Sequence, residues 1–222
     1  MKQWLRHNRS LLAFMFLLVF FRSAIANWYP IPSSSMHPNI LEGDVVFVNR
    51  LAFDAKIPFT DKTIFHIDNP QRGDIVVFMS PVEDVRLIKR VVGLPGDRVE
   101  LQNNHLTING QPQVYTRVDS KPELLENGLT VTATRLKEEG LARVHQIQIL
   151  SDVSSKSTFQ PIVVPDGEFL VMGDNRDNSA DSRYIGFVRR DLLIGRAVGV
   201  MVSADIKGNW LPRLERFGKA LN

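Results

Sequence analysis

From residue 44 onward the apolar residues come in short runs and not on a helical stripe, and this limits the chain to a sheet-built fold. DVVFVNRL (44–51), GDIVVFMS (73–80), VRLIKRVVG (85–93) and DRVELQ (97–102) are rich in Val and Ile and bounded by Gly, Pro or Asp, the pattern of short strands. NNHLTINGQPQ (103–113) reads as a hairpin with Asn109-Gly110 as its two-residue turn. VHQIQIL (144–150), EFLVMGD (168–174) and IGRAVGVMVS (194–203) resume the strand pattern. Residues 114–164 are more polar and irregular, and only LKEEGLARV (136–144) shows even a weak 3.6-residue period. The expectation is a mainly β fold, an antiparallel β-sheet core with an inserted, more polar β-rich subdomain near 103–164.

One long apolar run precedes this body, LLAFMFLLVFF (11–21). Residues 1–10 carry Lys2, Arg6 and Arg9 and no acid; once those three are set aside, basic and acidic residues balance at 24 each. A neutral body argues against nucleic acid as a partner, since such binders concentrate positive charge on the folded domain. The basic start keeps the N-terminus cytoplasmic by the positive-inside rule, so the body is expected to be exported. Two forms of the segment stay open. A cleavable signal would be cut after Ala24-Ile25-Ala26, which fits A-x-A. A permanent anchor over 11–29 would extend the short run through Ala24 to Tyr29, with Arg22 snorkelling and Trp28 and Tyr29 at the interface.

The chain has no cysteine, which removes disulfides, thiol nucleophiles and thiolate metal sites. His7, His37, His66, His105 and His145 show no metal-ligand spacing, and each by itself reads as a surface or turn residue. A Ser-His-Asp triad stays open, because its members are distant in chain. Three serines in IPSSSMHPNILEGD (31–44) follow directly on the greasy segment. Lys89 offers an alternative base: it lies in an apolar strand, where desolvation lowers an amine's pKa and leaves it able to take a serine's proton. The bland alternative is a lysine that points to solvent. MGDNRDNSADSRYIGFV (172–188) is dense in hydrogen-bonding groups, lacks Ca²⁺-loop spacing, and fits a polar loop that holds other residues in place.

Together PSSSM with HPNILEGD, LIKRVVGLPGD and GDNRDNSADSRYIGFV resemble the signature boxes of bacterial type I signal peptidases, membrane-anchored Ser-Lys endopeptidases. The likeness covers about residues 20–102 and 165–212. It implies that Ser35 is the nucleophile and Lys89 the general base. Ser33 would complete the oxyanion hole with the Ser35 N–H, and Ser179 would hydrogen-bond the lysine. Asp181 and Arg183 would brace the site, with Ile31, Met36, Ile40 and Ile88 lining pockets for small side chains. Ser34 and Asn39 depart from the family's commoner Gly and Thr, and His37 falls at a variable place.

The division so implied is a cytoplasmic basic segment (1–10), one N-terminal transmembrane helix (11–29), a catalytic β core (30–102 and 165–212), an inserted cap (103–164) and a C-terminal tail (213–222). The implied function is removal of signal peptides from exported pre-proteins after A-x-A, on the outer, periplasmic side of a bacterial inner membrane. The partners are then signal peptides, the lipid bilayer and the translocation machinery, with no metal, cofactor or nucleic acid. The resemblance favours a retained anchor over cleavage near Ala26. Three alternatives remain: a paralogue dedicated to a secretion or conjugation system, a Ser-Lys self-cleaving regulator, and a non-catalytic exported β protein that binds a partner.

Overall fold

In the computed structural model, which describes residues 4, 7–125 and 127–221, the Val- and Ile-rich runs pair as antiparallel strands. Seven form one sheet in the order β1 (Ala26–Pro30), β2 (Asp44–Asn49), β16 (Leu193–Ser203), β5 (Ile75–Met79), β6 (Arg86–Gly93), β14 (Glu168–Met172) and β15 (Val188–Arg189). The central strands read as unbroken apolar runs because both faces are covered. In β5, Ile75 and Val77 enter one core cluster while Val76 and Phe78 enter another, as the two-residue alternation of a strand requires. A two-stranded ladder, β3 (Asp54–Lys56) with β4 (Thr63–His66), follows β2.

The middle of the chain builds two smaller sheets. One has the order β13 (Phe159–Val163), β7 (Arg98–Gln102), β8 (His105–Ile108), β9 (Gln111–Pro112); the other runs β10 (Val114–Leu124), β11 (Thr130–Glu139), β12 (His145–Leu150). The turn expected at Asn109-Gly110 is there, with φ of 52° and 77°, the left-handed pair that a tight hairpin asks of Asn and Gly. The polar stretch 114–164, irregular in its sequence pattern, is built of strands: β10 and β11 form a long hairpin whose register shifts once, between Arg117 and Asp119. The weak helical period at 136–144 gives strand as far as Glu139 and then a turn. Pairing of β11 on both sides, to β10 and β12, outweighs a helical preference too short to stand alone. A third core cluster joins Leu106, Ile108 and Leu141 of the insertion to Val92, Leu170 and Met172 of the large sheet, so the insertion shares its core with the body. The tail is packed too: Leu221 enters the first cluster, and the Arg216 guanidinium binds the buried carboxylate of Asp44.

Helix α1 spans Arg9–Ala24, 16 residues, and buries none of them. The expected anchor over 11–29 is corrected at its outer end. Ala26–Pro30 is strand β1, with Trp28 opposite Phe47 and Tyr29 opposite Val46 in β2. The alternation of partners on β2 claims these residues for the sheet. At 1.5 Å per residue α1 is about 24 Å long, short of the roughly 30 Å of a bilayer's hydrocarbon core. Among the described residues no helix is both long and apolar enough to cross a membrane. Parts of the basic segment 1–10, including Lys2 and Arg6, lie outside the described residues.

Candidate active site

The three serines follow β1 on a turn whose apolar members nail it to the core. Met36 and Ile40 are both 0% exposed, and the Ile40 N–H closes a turn on the Met36 carbonyl at 3.0 Å. Ser35 is thereby buried, and Ser33 is left exposed with its Oγ 3.4 Å from Ser35 Oγ. The polar loop 173–181 backs this turn. Asn175 donates its N–H to the Ser35 carbonyl at 3.1 Å and its side-chain amide to the Ser34 carbonyl at 3.2 Å, while Asn178 donates to Ser34 Oγ at 3.0 Å. Gly173 makes the approach possible. A Cβ there would lie 2.5 Å from the Ser35 carbonyl oxygen and 2.2 Å from Ser179 Oγ.

Strand β6 brings two adjacent cations into this region, and the fold disposes of their charges differently. Lys89 is 2% exposed, with Nζ 2.8 Å from Ser35 Oγ and 2.9 Å from the Ile88 carbonyl. Burial lowers its pKa to about 8; the charges of Asp181 and Asp174 offset only part of that. Arg90 is paired instead: Nε and one terminal nitrogen each reach Asp174 at 2.8 Å, and the other donates to the Gly73 carbonyl at 2.7 Å. Burial would raise the Asp174 carboxyl, but Arg90 holds it below the usual carboxylate range. Asn39 also donates to Asp174, at 2.6 Å. The Ser35 hydroxyl thus meets an amine. Of the histidines, His37 binds Glu42 and His145 stands against Glu138.

Asp181 is fully buried. Its carboxylate accepts from the Gly173 N–H at 2.9 Å and from two nitrogens of Arg183 at 2.8 Å, and it caps the short helix α2 (Ser182–Ile185) through the Arg183 N–H. Asp181 and Arg183 are thus paired with each other. The expected bond from Ser179 to Lys89 is not seen: the Ser179 hydroxyl is buried over Gly173 and faces the Asp181 carboxylate. A cavity of about 300 Å³ opens beside Ser35 and Lys89, with Ile31, Val77, Leu87 and Ile88 among its walls. Ile31 and Ile88, two of the four residues expected to line a pocket, are on the wall of this cavity. Met36 and Ile40 do not line the cavity; they pack beneath it with Ile31 and Val77.

Several supporting groups had no signal in the sequence. Glu138 of β11 is fully buried, 2.7 Å from Arg176 and 3.0 Å from the ring of His145, so His145 is no surface residue. The burial of Glu138 would raise its pKa, but Arg176 and His145 hold it far below the ordinary range. His37 lies between Glu42 (2.7 Å) and Glu123 of β10 (3.4 Å) and ties the nucleophile turn to the insertion. Its burial would lower the pKa, yet hydrogen bonds to the two carboxylates raise it to about 9. A Glu in a polar strand looks alike buried or exposed, and only the pairing of β11 with β12 decides. Among the described residues no group of three or more His, Asp or Glu is placed to hold a metal ion.

The sequence profile of the family described as "Signal peptidase, peptidase S26" matches residues 1–202. A signal peptidase I of Buchnera aphidicola is 35% identical over 98% of this chain and 82% of its own. One of Pseudomonas fluorescens is 33% identical over 96% of this chain and 78% of its own. A crystal structure of a signal peptidase I from Enterococcus faecalis is 32% identical over 59% of this chain and 97% of that one, with a TM-score of 0.35.

Proposed function

We propose, from the premise that the chain belongs to the signal peptidase family, peptidase S26, that it works through a Ser35–Lys89 dyad. The enzyme is a serine endopeptidase that removes signal peptides from exported pre-proteins. One observation carries the dyad: a buried amine with a pKa lowered to about 8 lies 2.8 Å from the hydroxyl of a buried serine. Neutral Lys89 takes the Ser35 proton as Oγ attacks the carbonyl carbon before the cut. The oxyanion accepts from the Ser33 hydroxyl and the Ser35 N–H. Collapse breaks the C–N bond, and the Lys89 ammonium returns its proton to the leaving amine. Lys89, neutral again, deprotonates the water that opens the ester; that proton goes back to Ser35 as the signal peptide leaves with a new carboxylate. The adjoining apolar cavity suits a small side chain such as Ala before the bond.

The rest of the expected organisation is proposed with it. Residues 30–102 and 165–212 act as the catalytic core, 103–164 as the cap and 213–222 as a tail. The large side chains of α1 from Leu11 to Phe21 are exposed on all sides, which suits lipid and not water. We therefore place α1 in the outer part of a bacterial inner membrane, with the body on the periplasmic side near the translocation machinery. The test is incubation of detergent-solubilised protein with a pre-protein bearing A-x-A. Ser35→Ala and Lys89→Arg are both expected to be inactive, since a guanidinium stays protonated and cannot serve as base. Substantial activity in Lys89→Arg would show that the positive charge mattered and would sink the dyad.

A further inference from the structure

We propose that a cavity of about 340 Å³ between α1 and the body binds the anionic phosphodiester headgroup of a membrane lipid. Leu18 and Val19 of α1 form one side; Arg22, Arg50, Asp61 and Arg86 stand among the others. Three guanidiniums face one carboxylate, a net charge of +2. Asp61 is already taken by Arg50 at 2.8 Å, and Arg50 is itself 7% exposed with its Nε buried and unpartnered. Arg22 donates to the Asn27 side chain and stacks on Trp28 at 3.9 Å. Arg86 lies over Tyr29 at 5.6 Å. Neither of these two has a carboxylate at ion-pairing distance among the described residues.

A cation-lined hollow that opens along an exposed apolar helix fits an amphiphile with an anionic head and aliphatic chains. The phosphodiester takes the forked donors of arginine, and the chains continue along Leu18 and Val19. A peptide threading from an apolar run to the cut offers no counter-charge for the surplus +2. Tyr29 and Arg86 also wall the cavity beside Ser35, so a bound headgroup would stand next to the substrate's path. The inference rests on the placement of α1 in the bilayer.

The test separates the two. Sedimentation of the full chain with phosphatidylcholine vesicles reports α1 alone, and failure to sediment would overturn its membrane placement. The headgroup is read by native mass spectrometry of the full chain in uncharged micelles, titrated with phosphatidylglycerol or phosphatidylcholine. One phosphatidylglycerol retained per chain is expected, with affinity falling roughly fivefold for each of Arg22→Gln and Arg86→Gln. Lys62→Gln, a change to an exposed cation beside Asp61, is expected to leave retention unchanged. Equal retention of phosphatidylcholine, or an equal loss in Lys62→Gln, would overturn the proposal. Displacement by millimolar inorganic phosphate would assign the cavity to free anions and also overturn it. A raised KM for a pre-protein in Arg22→Gln, with lipid retention unchanged, would give the cavity to the peptide instead.

Discussion

Lys89 and Arg90 sit side by side in one strand and are both buried, yet burial lowers the amine's pKa to about 8 while the guanidinium is ion-paired with Asp174. The pH dependence follows. The folded pKa of Lys89 lies below its ordinary 10.5, so the neutral amine accumulates as pH rises through about 8, and kcat/KM should climb over that range. His37 has the opposite sign. Its folded pKa is raised to about 9 from 6.5, so its stabilising contribution is complete below 6.5 and lost as pH rises through 9. Activity should therefore emerge while thermal stability begins to decline, and the decline should be absent in His37→Asn. A flat kcat/KM between pH 6 and 9 would contradict the role of Lys89. Ser33, exposed beside Ser35, is argued to meet charge only in the transition state. Ser33→Ala should lower kcat by roughly 10²–10³-fold, about 2.7–4 kcal/mol, with little change in KM; a loss confined to KM would remove Ser33 from the oxyanion site.

At the scale of elements, β6 works because its register is right. A slip of one residue would turn every side chain to the other face, aiming a permanently charged guanidinium at Ser35. The strand was legible from its Val and Ile, and the serines and lysine from their boxes. What joins them was not. Loop 173–181 could be read as polar but not as the clamp on Ser34 and Ser35, because that depends on which turn it faces. The insertion's share was hidden further, since Glu138 and Arg176 are 38 residues apart and meet only through folding. Ser179 was assigned a bond that the packing over Gly173 does not provide. The Glu138–Arg176 pair gives an element-scale prediction. Glu138→Ala strands a buried guanidinium and should cost about 3–5 kcal/mol, whereas Glu138→Ala with Arg176→Met should recover part of it. Chemical denaturation midpoints decide; a single mutant as stable as wild type would mean that water replaces the carboxylate.

Over the whole molecule, the chain leaves α1 at Ala24, runs straight into β1 at Ala26 and reaches Ser35 eleven residues after the helix ends. Strand β1 is hydrogen-bonded along its length to β2, so this connection has little slack, and even fully extended it would span no more than about 36–40 Å. On the proposed placement of α1 in the bilayer, the short tether would make the enzyme a ruler. Ser35 would be held at one height above the lipid, and the bond cut in a pre-protein would be the one its own apolar run lifts to that height. Choice among several A-x-A sequences would then be a matter of altitude as well as of side chains. Two glycines inserted between Ala24 and Ala26 add up to about 7 Å and should move the preferred cut to pre-proteins with a longer spacer after their apolar run. Relative processing rates across a series of spacer lengths measure it, and an unshifted optimum would show that height plays no part.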